Sequence, residues 1–150
     1  MGRGAGSLRS VNRLVLLDNE AVQALGDPAH PKHRRVVSHA QVIASRKRRA
    51  IEIRLAVPTA VRVEAGWDRT ASSWAFANSL RIADVPLDTA GANVAAVIRE
   101  DTAVSVADAH LGAVIRSRPA DRITVLTSDP EDMRLVAGGA AVTIVTIVTI

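Results

Sequence analysis

The sequence predicts an α/β fold: one domain built on a five-stranded, mainly parallel sheet flanked by helices. Short apolar runs rich in branched residues alternate with segments of helical apolar spacing. Their order is strand, helices, strand, helices, strand, helices, strand, helix, strand. Within the runs apolar residues follow one another rather than alternating with polar ones, as expected of strands covered on both faces. A chain of 150 residues, 48% of them hydrophobic, suffices for one core and is short for two. Parallel neighbours require crossover connections, and these are right-handed.

Residues 1–12 read as a flexible extension and residues 13–150 as the domain. Arg13 to Leu17 (RLVLL) is an apolar run ending in Asp18, the first strand. A helix is expected from Asn19 to Leu25, stopped by Gly26-Asp27-Pro28. From Pro31 to Arg49, Val36, Ala40, Ile43 and Ala44 recur at helical spacing, an amphipathic helix with a basic last turn that suits the helix dipole. Glu52 to Val57 is the second strand, and Pro58-Thr59 opens a helix carrying Glu64 and Trp67. A further helix is expected over Ala71 to Leu80, with Trp74 as its core anchor. Ile82 to Pro86 forms a short strand, and Asp88 caps a helix from Thr89 to about Glu100. Ser105 caps a helix containing Asp108 and running to Arg116. Arg122 to Leu126 is the fourth strand, Asp129-Pro130 starts a short helix ended by Gly138-Gly139, and Ala141 to Ile150 holds the last strand.

Composition limits the chemistry. With no cysteine, disulfides, thiolate metal sites and thiol nucleophiles are excluded. The first ten residues are not followed by the apolar stretch of a secretory signal, and no later run is long enough to span a bilayer, so a soluble, cytoplasmic protein is expected. A net charge of +4 and a pI near 10.9 lean toward a polyanionic partner, though arginine-rich composition alone gives the same balance. Two basic runs, His33-Arg34-Arg35 and Arg46-Lys47-Arg48-Arg49, are candidates for phosphate contact or simply solvated helix faces. No G-x-S-x-G elbow, phosphate-binding G-x-x-x-x-G-K-[ST] loop or H-E-x-x-H pair is present. His30, His33, His39 and His110 read as solvated or helix-facing side chains. Trp67, Trp74 and Phe76 read as core or dimer-interface residues.

The informative residues are Asp18, Glu64, Asp108 and Asp129, each beside a strand end or a helix start. In a parallel sheet, ligands bind outside the carboxyl ends of the strands, where all four can gather. Crowded carboxylates repel and call for a hard divalent cation. Each acid also has a local reading. Asp129 before Pro130 suits a helix cap, Asp108 follows Ser105 at capping-box spacing, and Asp18 can cap the helix after it. Glu64 stands among Ala60, Val61, Val63, Ala65 and Trp67, an apolar setting that argues against a plain surface glutamate. Glu52, Asp68, Asp121 and Asp132 show no common placement.

Four segments, LVLLDNEAV with Asp18, PTAVRVEAGW with Glu64, VSVADAHLGAVI with Asp108 and ITVLTSDPEDM with Asp129, resemble in content and order the PIN-domain nucleases, and within them the VapC-type toxins of type II toxin–antitoxin systems. The resemblance runs from Leu14 to the final strand. It implies a single PIN-like domain with five parallel strands and a Mg²⁺- or Mn²⁺-dependent endoribonuclease that hydrolyses RNA by metal-activated water. It further implies a homodimer, held inactive by a cognate VapB-like antitoxin and with no membrane role. By the family pattern Asp18 and Asp108 hold the metal, Glu64 and Asp129 complete the catalytic pocket, and Thr127 or Ser128 orients a ligand or ends the strand. Glu20 departs from the pattern, which has Ser or Thr there; it joins the metal shell or points away as a first-turn acid. The competing readings are a catalytically silent RNA-binding module on the same fold and a phosphatase-like or signal-receiver domain. Against the receiver, no lysine follows the last strand.

Overall fold

A computed structural model describes residues 11–45, 52–118, 122–140 and 142–146. The first ten residues, the basic run Arg46 to Arg49 and the end of the chain after Thr146 lie outside the described residues. The strands are β1 (Val11–Leu17), β2 (Glu52–Pro58), β3 (Ala83–Val85), β4 (Arg122–Thr127) and β5 (Thr143–Thr146). They form one sheet in the order β3-β2-β1-β4-β5, and every neighbouring pair is parallel. The helices are α1 (Asn19–Gly26), α2 (His33–Ser45), α3 (Thr59–Ala65), α4 (Ala75–Asn78), α5 (Thr89–Thr102), α6 (Val106–Arg116) and α7 (Pro130–Ala137). The α/β class and the helix-flanked parallel sheet are therefore as expected.

Alternate residues of β1, β2 and β4 feed opposite cores, because successive side chains point to opposite faces. Val15 and Leu17 of β1, with Leu55 and Val57 of β2, pack with Val22 and Leu25 of α1 and Val36 of α2. Leu14 and Leu16, with Ile123 and Val125 of β4, pack with Ile98 of α5, Leu111 and Ile115 of α6, and Met133 and Val136 of α7. The central strand β1 is covered on both sides, which explains its unbroken apolar sequence. Among the described residues no helix is long and apolar enough to cross a membrane.

Two sequence expectations fail between β2 and β3. Trp67 does not lie on the helix that carries Glu64. Gly66 adopts φ +77°, Trp67 N–H bonds Arg62 C=O at 2.9 Å and Gly66 N–H bonds Val63 C=O at 3.2 Å, so α3 closes before the tryptophan. Nor is Ala71 to Leu80 one helix: a 3₁₀ turn (Ser72–Trp74) leads into the single turn of α4. Side-chain contacts decide this segment over helix propensity. Trp67 stacks on Trp74 at 5.6 Å, donates from Nε1 to Asn78 Oδ1 at 2.8 Å, and carries the Arg69 guanidinium 4.4 Å above its ring. Arg69 in turn binds Asp84 of β3, with Nη2 to Oδ1 at 2.8 Å, and the Ile82 carbonyl at 2.7 Å. Trp67 is buried, whereas Trp74 is only partly buried and Phe76 is exposed.

Candidate active site

Strand order reverses at β1: the chain goes outward through β2 and β3 on one side, then returns to place β4 and β5 on the other. The β1/β4 boundary is thus the topological switch point, where adjacent crossovers leave on opposite faces and open a crevice at the strand ends. Asp18 and Asp129 flank it.

Asp18 follows the last residue of β1. Its N–H donates to Leu126 C=O at 3.3 Å, extending the β1–β4 ladder by one bond. Its extended backbone makes it the cap of α1, and Oδ1 accepts the Ala21 N–H at 2.8 Å. The residue is only 5% exposed. Thr127, fully buried at the end of β4, accepts the Asp129 N–H on Oγ1 at 2.8 Å and turns its own hydroxyl to Asp18. One hydroxyl therefore ties together the ends of both central strands. Asp129 caps α7, accepting the Asp132 N–H at 3.3 Å.

Asp108 lies in the first turn of α6. Ser105 does the capping there, its Oγ accepting the Asp108 N–H at 3.1 Å, so the aspartate side chain is left for other contacts. Glu64 is exposed on α3, beside a cavity of about 460 Å³ lined by Thr59, Val63, Leu87 and Val106. Its apolar neighbours do not bury it, contrary to the sequence expectation; Val63 is 81% exposed.

Electrostatics show that these acids share one environment. Burial pushes the Asp108 carboxyl up to about 6, and the charges of Asp18, Asp132, Glu64 and Asp129 push it the same way. Burial also raises the Asp18 carboxyl; the Thr127 and Ala21 hydrogen bonds oppose this, and Glu20 and Asp129 add to it. Asp132 is raised by desolvation and by its hydrogen bond to Asp129. A hydrogen bond between two carboxyl groups needs a proton on one of them, which favours the protonated form of Asp132. Asp18, Glu64 and Asp129 thus all act on Asp108, and Asp132, which had no evident common placement in the sequence, joins them. Its signal was the D-x-x-D spacing from Asp129, which returns the side chain to the cap of its own helix. Among the described residues, no three Asp, Glu, His or Cys side chains stand together as a group that could hold a metal ion.

Two neighbours have partners of their own. Glu20 sits in the first turn of α1 and is engaged from the next loop, with His30 Nε2 at 3.1 Å and Lys32 Nζ at 3.6 Å from Oε2. His110 is neither solvated nor idle. It is 1% exposed; Nδ1 accepts the Ala60 N–H at 3.2 Å, and the ring also bonds the Pro86 carbonyl. Burial depresses its pKa, which keeps it neutral. Pro58 caps α3 without any side-chain acceptor, and His110 supplies one from α6. The imidazole therefore locks the helix carrying Glu64 to the helix carrying Asp108. Its helical spacing from Ala107 and Val114, both buried, marked it as inward-facing.

Compared with known proteins, the chain matches no family model and no curated protein.

Proposed function

We propose that this protein is a metal-dependent endoribonuclease of the PIN-like, VapC-toxin kind. The observation that supports this reading most is the convergence on Asp108 of four other carboxylates, Asp18, Asp132, Glu64 and Asp129. Every group acting on Asp108 raises its pKa, so the pocket is acidic with no cationic counterweight among those groups. Such a set of hard oxygen donors suits Mg²⁺ or Mn²⁺. Asp18 and Asp108 would hold the ion, which when bound supplies Lewis-acid polarisation of a phosphodiester and a more acidic water.

The chain's own residues have distinct tasks in this reading. Thr127 and the Ala21 N–H fix the Asp18 carboxylate in one orientation. Above about pH 6 Asp108 is ionised and able to bind a cation; below it the proton competes. Glu64 and the Asp129–Asp132 pair extend the negative rim, and His110 holds the Glu64 helix against the Asp108 helix. The homodimer and the VapB-like antitoxin belong to the same proposal and rest on the resemblance alone.

A silent RNA-binding module on this fold is the second reading, favoured by the absence, among the described residues, of a ready three-residue metal group. Incubating purified protein with RNA and Mg²⁺ or Mn²⁺, then sequencing the ends, separates the two. Asp18→Asn and Asp108→Asn should each abolish cleavage while leaving the circular dichroism unchanged. Undiminished cleavage by both variants removes the site, and no cleavage by the unmodified chain with any divalent ion favours the silent module.

A further inference from the structure

The bridge between Glu20, His30 and Lys32 adjoins Asp18 and is built more carefully than a surface ion pair. Glu20 is two residues past the Asp18 cap, in the first turn of α1, and close enough to repel its charge. Its two cationic or donor partners come from the α1–α2 loop, which is internally braced. Asp27 Oδ1 accepts the Ala29 N–H at 2.9 Å, and Asp27 C=O accepts the His30 N–H at 2.9 Å. His30 Nδ1 accepts the Lys32 N–H at 3.0 Å. That last bond requires an unprotonated Nδ1, so the hydrogen of a neutral His30 sits on Nε2, facing Glu20. Lys32 C=O takes the Val36 N–H at 3.1 Å, which seats the lysine at the start of α2. The His30 and Lys32 side chains are 16% and 18% exposed, against 35% for Glu20, so the donors are held and the acceptor is the freer member.

A histidine N–H at 3.1 Å and a lysine ammonium at ion-pair distance, 3.6 Å, face one carboxylate oxygen, a fork that a phosphate oxygen can also occupy. A phosphodiester entering this pocket meets carboxylates on several sides and needs fixed positive charge nearby. A partly exposed ion pair is weak, so Glu20 is readily replaced by a stronger anion. We propose that Lys32 and His30 are positioning residues for a backbone phosphate of the RNA, and that Glu20 occupies their fork until the phosphate displaces it. The proposal rests on the reading that the pocket receives RNA. It gives the residue that departs from the family pattern a role as internal competitor rather than metal ligand.

The test uses the full chain and a fluorescent single-stranded RNA. Affinity is measured by anisotropy without divalent ions, and KM and kcat with Mn²⁺. Lys32→Ala should weaken affinity and raise KM about fivefold with kcat held, the size of one screened ion contact. Lys32→Arg should restore most of the loss. Glu20→Gln should do the opposite and tighten affinity, because it frees the fork, and the double variant should behave as Lys32→Ala. Arg122→Ala, at an exposed arginine at the N-terminal end of β4, the opposite end of the strands from Asp18, controls for loss of charge alone. A merely structural bridge predicts that Glu20→Gln and Lys32→Ala weaken binding alike, and that result overturns the proposal; so does a Lys32→Ala loss no larger than the Arg122→Ala loss, or no RNA binding by the unmodified chain. If the affinity pattern holds with no cleavage under any divalent ion, the nuclease reading fails and the fork stands. Cleavage with Lys32→Ala unaltered means the reverse.

Discussion

Asp108 is the residue on which the site's charge is concentrated, and its titration is a stability property. The folded carboxyl titrates near 6, against an ordinary value of 3.8. Between those values the folded state binds more proton than the unfolded state, so this group's contribution to stability falls as pH rises through the window and is level above it. Asp108→Asn removes that slope. In urea unfolding with chelator, from about pH 4 to about pH 8, the variant should gain on the unmodified protein up to on the order of 1 kcal/mol. A difference independent of pH contradicts the raised pKa that burial and the neighbouring charges give Asp108. His110 works with the opposite sign: its pKa is depressed by burial, so its contribution is present above the unfolded value of 6.5 and is lost as pH falls below it. Asp18, Asp108 and Asp129 were legible because strand ends and caps have sequence signatures. The double hydrogen bond of His110 was not, since its partners lie on α3 and just past β3, far away in the chain.

At the scale of elements, α6 is the hub. It carries Asp108, caps α3 through His110 and packs closely on α7 at Gly112. A Cβ on Gly112 would stand 2.7 Å from both Cβ and the carbonyl oxygen of Val136. The carbonyl cannot move without shifting α7, whose first residue follows Asp129. Gly112→Ala should therefore destabilise the fold by about 1–3 kcal/mol in chemical denaturation. A neutral or stabilising effect would falsify the close approach of the two helices. Most elements were legible to within a residue or two because apolar spacing and caps agree: Asp88 does accept the Gly91 N–H and Ser105 the Asp108 N–H. The segment after α3 was not, because tryptophan stacking and the Arg69–Asp84 pair outweigh the helix propensity on which its reading relied.

For the molecule as a whole, the proposed nuclease reading divides the tasks: phosphate contacts by basic side chains would supply affinity, and the acids would act at one point on the strand. RNA binding should then weaken as salt rises, with log K falling linearly against log salt at a slope of about −0.7 per phosphate contacted. Filter binding or anisotropy across a salt series checks this, and an affinity indifferent to salt argues for a different ligand. Because Asp18 and Asp108 sit in the pocket, Asn in their place should leave that slope nearly as it was.

The amino-acid sequence by itself determined the α/β class, the near positions of the strands and most helices, and the acids standing at their ends, because those depend on contacts within a few residues. Tertiary structure alone decided the strand order that puts the switch point between β1 and β4. It also decided that Thr127 joins Asp18 to Asp129, that Asp132 enters the acidic group, and that His110 couples the Glu64 and Asp108 helices. Each of these pairs groups brought near one another by packing of the two cores on the sheet, and hydrogen bonds and Coulomb repulsion act on distance in space rather than on separation along the chain.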